Sequence, residues 1–476
     1  MESFDEKGFS MADENLKKEI VNFVDDQWEN IVNDISRLVA IESVEDLASA
    51  KEGEPWGHNP WLALKEALTI ADELGLDAHN CEGKIGYADL KGKSEKQIAM
   101  IAHSDVVPLG TGWDFDPLKV SRKDGYLIGR GVLDDKGPLV LSLYAAKYFI
   151  DKGEELPYTL RCIIGSNEET QMRDVEYYVE NYPAPAFLFS PDADFPLCFG
   201  EKGGYTCNVI SEEIVDGDIV EYHGGTADNA IAGDAYAVVK TDKKLENAER
   251  IEVEDLGDGT VKIVATGIGG HASKPAGTLN AIKLIVDYML ENDLGTEQEQ
   301  KFLKLQKQLQ SATDGSQVGC DCADEYFTPL TMIGGTIRFK DGHFEQTIDS
   351  RYPTCITGDQ ITEKIREVAE PYGATVDVWL NMECFLTDPE SEPIQTLLNT
   401  FNEVKGRNDE GFTMGGGTYA RHFPSACSFG PNDPTHELPD WVGPEHAANE
   451  GISEQELKDA LGLYILCLER LMELDF

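Results

Sequence analysis

The sequence predicts an α/β protein: a mostly parallel sheet flanked by helices, with an α+β domain inserted into it. Three observations predict it. Short continuous apolar runs alternate with amphipathic helices as far as about residue 200, strand patterns dominate after Gly203, and helix–strand alternation returns from Thr387-Asp-Pro-Glu. Continuous apolar runs suit strands buried on both faces, as strands of parallel sheets are. At 476 residues the chain exceeds what one core usually serves, about 100–200 residues per domain. The predicted division assigns 1–203 and 385–476 to one catalytic domain and 204–384 to the insertion.

Taken in order, Leu16, Ile20, Phe23, Val24, Ile31, Ile35, Leu38 and Val39 recur at helical spacing and predict one or two opening helices. A further helix is predicted over 61–74, ending at Gly75. Ile98-Ala-Met-Ile-Ala102 then reads as a buried strand, followed by a helix over 137–150, a strand over 158–165, a helix over 174–181 and a strand over 186–189. Such alternation is the pattern of a parallel sheet with crossover helices. In the insertion, strands are predicted over 205–215, 250–265, 330–339 and 374–380, and helices over 280–292 and 297–311. An amphipathic helix over 454–473 closes the chain.

Charge narrows the function classes. With 88 acidic and 40 basic residues the net charge is −48, a surface that repels phosphate backbones and anionic membranes, so neither nucleic acid nor a membrane is an expected partner. Most of this charge reads as a solvated surface; adaptation to high salt is the competing account. The acidic start has no basic segment followed by an apolar core. Nor does any apolar run approach the ~18 residues that span a bilayer. The ten cysteines show no disulfide framework, and several lie in apolar runs. Reduced thiols in a cytoplasmic protein are expected. Cys320-Asp-Cys322 lacks a second pair at zinc-finger spacing.

The chemistry-bearing residues fall at predicted strand ends, where functional side chains of open α/β sheets gather. His103-Ser-Asp105 follows the first buried strand, offering an imidazole to a metal with a carboxylate behind it. Asp134-Asp135 sits in Gly129-Arg-Gly-Val-Leu-Asp-Asp-Lys-Gly137 before a helix, and Asp192 follows the strand at 186–189. Glu168-Glu169 ends the strand at 158–165; adjacent carboxylates at a buried strand end are costly unless a cation neutralises them. His446 lies in a loop before the last helix. Each is unremarkable alone. Two histidines and at least three carboxylates after successive strands make an N/O ligand set for two zinc or manganese ions.

These segments resemble the peptidase V and carnosinase-like dipeptidases of metallopeptidase family 20, which also holds aminoacylases and desuccinylases. The likeness rests on His103-Ser-Asp-Val-Val-Pro108, the Gly129–Pro138 segment, Asn167-Glu-Glu-Thr170, Pro191-Asp-Ala-Asp-Phe-Pro196, Glu201-Lys-Gly203, Gly415-Gly-Gly-Thr-Tyr-Ala-Arg421 and His446-Ala-Ala-Asn-Glu450. It runs from about Ile35 to the C-terminus. The resemblance implies a zinc-peptidase-like catalytic domain with a lid, and two divalent ions, zinc foremost, with manganese or cobalt as alternatives. Asp134 would bridge them, His103 and Asp192 would hold one, and Glu169 and His446 the other, with Asp105 behind His103. Glu168 would be the general base acting on a metal-bridging water. It also implies a cis Asp134–Asp135 peptide.

In the insertion, the resemblance places His271 of Gly269-Gly-His-Ala-Ser-Lys274 as an oxyanion-stabilising residue reaching from the lid. Asn229 and Arg351 would grip a substrate's C-terminal carboxylate, which suits a planar guanidinium. Gly416 and Thr418 would line a glycine-rich wall. One departure is that Ala-Ile-Ala, rather than Val-Pro-Asp, follows Asn229. The implied activity is hydrolysis of dipeptides with a free carboxylate; N-acyl amino acid deacylation and a non-catalytic binding role are the alternatives. The insertion resembles the enlarged lid of the peptidase V type, which stands in for a partner subunit, and this resemblance implies a monomer ahead of a homodimer.

Overall fold

The computed structural model describes residues 11–153 and 155–476. The chain forms two compact units. The first runs up to Gly200 and resumes over Leu386–Phe412 and Gly417–Phe476; the second comprises Glu201–Phe385 and Thr413–Gly416.

The first unit is an α/β sheet protein. Its sheet orders strands Asp77–Cys81, Ile85–Leu90, Tyr158–Gly165, Ser94–His103, Phe187–Ser190, Ala426–Ser428, Cys198–Glu201 and Phe385–Leu386, with Phe412–Met414 beside Cys198–Glu201. The four strands from Tyr158–Gly165 to Ala426–Ser428 run parallel. Residues 97–103 and 159–165 are buried throughout, which accounts for the unbroken apolar run 98–102, while Arg161 in the other strand is buried paired with Asp89. The edge hairpin Asp77–Cys81/Ile85–Leu90 is antiparallel.

One helix, Met11–Val39, opens the described chain, and its buried stripe contains Ile20, Val24, Ile31, Ile35, Leu38 and Val39. Helix Lys136–Lys152 is buried almost all round and packs against Met11–Val39, Glu454–Leu471 and the central strand. Its burial puts Asp135, its N-cap, at the sheet's carboxyl edge beside His103. The central strand extends to His103 itself, so this imidazole is the last strand residue rather than the first loop residue.

The second unit is α+β. The eight strands of its main sheet, all antiparallel, run in the order Ile251–Asp255, Thr260–Thr266, Asp234–Lys240, Ile219–Gly224, Thr331–Lys340, His343–Tyr352, Gly203–Ile210, Thr375–Met382. Helices Ala281–Glu291, Glu297–Leu309 and Gly358–Ala369 complete its core. Thr296 with Glu299 and Thr357 with Gln360 form capping boxes that start two of these helices. The single strand expected over 250–265 is instead a hairpin. Gly257 and Gly259, at φ 80° and 85°, supply the left-handed backbone that turns it.

A second correction concerns the cysteines. Cys322 is disulfide-bonded to Cys355, against the expectation of reduced thiols only. The pairing depends on a contact across 33 residues that spacing does not reveal. It also removes Cys322 as a metal ligand. The other eight cysteines form no disulfide, and seven of them are buried. Among the described residues, no helix is long and apolar enough to cross a membrane.

Candidate metal centre and active site

The parallel strands of the first unit deliver their last residues to one place. His103 ends the central strand with Nε2 at 3.0 Å from Asp134 Oδ1 and 3.7 Å from Asp192 Oδ2. His446 Nε2 lies 2.8 Å from Asp134 Oδ2 and 3.2 Å from Glu169 Oε2. Two imidazoles therefore approach the two oxygens of one carboxylate, with a further carboxylate beside each. His446 reaches this position from a left-handed residue, φ 63°, uncommon for a side chain with a Cβ. The Asp134–Asp135 peptide is cis.

Asp105 acts on both strand ends. His103 Nδ1 pairs with the Asp105 main-chain oxygen at 3.0 Å, its carboxylate being farther at 3.5 Å. That carboxylate instead accepts the N–H groups of Glu168 and Glu169, each at 3.1 Å. So Asp105 sets the tautomer of His103 through its carbonyl, and the direction of the Glu168–Glu169 turn through its side chain.

Electrostatics show what the cluster lacks. Burial disfavours the charged imidazolium of His103, yet the nearby carboxylates of Asp105, Asp134 and Asp192 carry its pKa well above the usual histidine value. Hydrogen bonds to Asp134 and Glu169 raise His446 to about 11. Burial also opposes ionisation of Asp134, but the two imidazoles hold it below the usual carboxylate range. Asp135 and Glu168 are pushed well up by burial and by Asp192, and Asp192 by burial and Asp134. Glu169 is raised by burial and Asp134. Five carboxylates thus crowd the buried His103 imidazole, with the half-exposed His446 at the rim, and positive charge is what is missing.

The donor atoms fit divalent cations. His103 Nε2, Asp135 Oδ1 and Glu169 Oε1 are buried without a hydrogen-bond partner of good geometry. Ligand atoms of His103, Asp134 and Glu169 lie within 4.8 Å of one another, as do those of His103, Asp135 and Asp192. Imidazole and carboxylate donors of this kind suit zinc or manganese.

Other residues around this cluster had no role assigned from sequence. Asp135 Oδ2 accepts the His103 N–H at 3.0 Å. Asp174 is buried beneath the Glu168 turn, accepting from Ser166 N–H at 2.7 Å, Asn167 N–H at 3.1 Å and the Tyr419 hydroxyl at 2.5 Å. Arg130 and Glu450 form a buried ion pair. Asp174 carries no sequence signal, whereas the other three stand inside the segments that carry the resemblance.

Thr418 belongs to the first unit, where its buried hydroxyl caps Ala420 N–H at 3.1 Å and meets Ser428 Oγ at 2.9 Å. The remaining predicted residues form a group within the second unit. Asn229 O accepts from Ala272 N–H at 2.9 Å, and Ala230 pairs with His271. The Ser273 N–H donates to His271 Nδ1 at 3.2 Å. Nδ1 is therefore the acceptor, so neutral His271 carries its proton on Nε2. Burial, then Arg351 and Lys274, lower its pKa and favour that neutral form. A Cβ on Gly415 would sit 3.2 Å from Ser273 Cβ, so the glycine segment packs closely on the His271 loop, while Gly416 has open space around it. Arg351 Nη2 donates to Asp349 at 3.2 Å.

Residues 99–470 match the model of peptidase family M20/M25/M40. The chain is similar to the Beta-Ala-Xaa dipeptidase of Lactobacillus delbrueckii subsp. lactis, with 29% identity over 91% of this chain and 94% of that protein. In structure it is similar to human carnosine dipeptidase 1, with TM-score 0.60 at 13% identity, covering 96% of this chain and 99% of the other. It is also similar to the di-peptidase Dug1p of Saccharomyces cerevisiae, with TM-score 0.59 at 14% identity over 97% and 99%. At these identities the structural likenesses speak to the fold.

Proposed function

We propose that this chain, which belongs to peptidase family M20/M25/M40 and is a peptide hydrolase, is a dinuclear metal dipeptidase. The observation that carries the reading is the approach of His103 and His446 to opposite oxygens of Asp134, beside buried donor atoms that lack partners. The name of the Lactobacillus relative supports the substrate class.

Asp134 is assigned to both ions, His103 and Asp192 to one, Glu169 and His446 to the other. When bound, two divalent cations would polarise the scissile carbonyl and acidify water. Glu168 takes the proton of the attacking water and returns it to the leaving amine. Burial and neighbouring Asp192 raise its proton affinity, which suits a group that must hold a proton between two steps. Its turn is fixed by the Asp105 carboxylate, so the proton acceptor has a set direction.

The second unit is assigned the substrate's ends. His271 offers Nε2–H to the carbonyl oxygen as charge develops there. Arg351 and Asn229 bind the free carboxylate, and so count the residues beyond the scissile bond. Gly416 and Thr418 form a wall that admits main chain closely.

One preparation tests this. The purified chain, supplied with zinc, manganese or cobalt, is assayed on a dipeptide panel while its metal content is measured. Two ions per chain and dipeptide cleavage are expected, with Glu168→Ala losing about 10²–10⁴-fold in turnover at unchanged metal content. Release of acetate or succinate from N-acyl amino acids without dipeptide cleavage would assign deacylation instead.

A further inference from the structure

A buried ion pair joins the two loops that carry Asp134 and His446. Arg130 Nη1 donates to Glu450 Oε2 at 2.5 Å, with both side chains no more than 1% exposed. The other oxygen, Oε1, accepts main-chain N–H groups from Gly131 at 2.9 Å, Leu133 at 3.2 Å and Asp134 at 3.3 Å. Arg130 Nη2 donates to the main-chain oxygen of His446 at 3.2 Å and to those of Leu109 and Pro108 at 3.4 and 3.5 Å. One carboxylate thus holds the loop presenting Asp134, and its cationic partner holds the loop presenting His446.

The loops are otherwise tight. Gly129 N–H donates to Glu450 O at 3.0 Å, and Gly443 N–H to Asn449 O at 2.8 Å. His446 and Asn449 are both left-handed, at φ 63° and 59°. A displacement of Glu450 is therefore passed to both ligand-bearing loops together. His103 and Asp192 are anchored differently. His103 ends a strand, and the strand before Asp192 is tied to the central one by Ser190 Oγ donating to Ile101 O at 2.9 Å.

We infer that Arg130 and Glu450 are positioning residues: their ion pair holds Asp134 and His446 at the spacing of one cation and, because His446 serves only the Glu169 side while Asp134 is shared, sets affinity for the ion on that side more than for the other. An ion pair kept only for packing gains little over an apolar pair of equal volume. Three amides on one carboxylate oxygen, bonded through a guanidinium to the opposite loop, fix a distance. The inference rests on the dinuclear reading above.

The test uses the full chain stripped of metal and titrated with zinc against a competing chelator, with ions counted per chain. Glu450→Gln sets an amide N–H₂ or a neutral oxygen against Arg130, and Glu450→Asp keeps the charge but shortens the reach. Two ions are expected on the wild type. In both variants one ion should bind about 10–100-fold more weakly, the range for a group that orients a ligand, and the other should weaken by clearly less. Thermal unfolding followed by circular dichroism establishes that the metal-free variants are folded. Wild-type affinity for both ions in the folded variants, or equal weakening of both, overturns the inference while leaving the dinuclear reading intact. Both variants unfolded at room temperature would make the pair structural and overturn it as well. A wild type that takes up fewer than two ions overturns both.

Discussion

Asp349 has one carboxylate oxygen engaged and one idle. Oδ2 accepts from Arg351 Nη2 and Thr206 Oγ1, each at 3.2 Å, while Oδ1 and the Arg351 Nε are buried without partners. Burial pushes its pKa to about 6 from 3.8, with Arg351 pulling the other way. Below pH of about 4 the group is protonated in folded and unfolded chains alike, and costs nothing. As pH rises the unfolded chain ionises first, so stability falls, and above about 6 the full loss of about 3 kcal/mol has been incurred. Asp349→Asn removes this titration. Urea unfolding with a chelator present should show the stability difference between variant and wild type moving about 3 kcal/mol in the variant's favour between pH 4 and 7. A difference independent of pH would mean that Arg351 fully compensates the buried charge.

At the scale of elements, the segment between helix Glu297–Leu309 and strand Thr331–Lys340 has no helix or strand of its own. It is held by the Cys322–Cys355 bond and by Asp324, which accepts from Thr354 N–H at 2.8 Å and Thr354 Oγ1 at 2.6 Å. Closing a loop of 33 residues' separation restricts the unfolded chain by about 3–4 kcal/mol. Replacing both cysteines by serine should lower the unfolding free energy by about that amount and speed proteolysis within 311–330; unchanged stability would leave the hold to Asp324. The bond was illegible in the sequence because it joins distant segments. The buried strands were legible where both faces are dry, as at Tyr158–Gly165. Ile219–Gly224 and His343–Tyr352 were not, since their polar and half-exposed positions leave no continuous apolar run. For the candidate site, residue type and position marked His103, the Asp134-Asp135 and Glu168-Glu169 pairs, Asp192 and His446, and the family resemblance chose Asp134 and Glu169 within the pairs. The roles of Asp174 and Glu450 lie in which backbone amides fold back onto them, and that is set by tertiary contact alone.

For the whole molecule, a net charge of −48 leaves many carboxylates without a cationic partner, whatever ion pairs form. Like charges repel in the folded state more than in the expanded chain, so low salt should destabilise the fold. Screening acts over about 30 Å at 0.01 M salt, 10 Å at 0.1 M and 3 Å at 1 M. If the charge is an ordinary solvated surface, repulsion between carboxylates about 10 Å apart or more is relieved by roughly 0.2 M salt, and little remains to gain. The unfolding midpoint should therefore climb by several degrees between about 0.01 and 0.2 M sodium chloride and then level off. Chloride is the right anion, because sulfate stabilises by exclusion from the surface and would mimic the effect. Scanning fluorimetry on metal-loaded protein checks the curve. A midpoint still rising beyond about 1 M would need a mechanism other than screening and would point to adaptation to high salt. A midpoint flat from the lowest concentration would mean that the carboxylates are spaced widely enough for their repulsion to cost nothing.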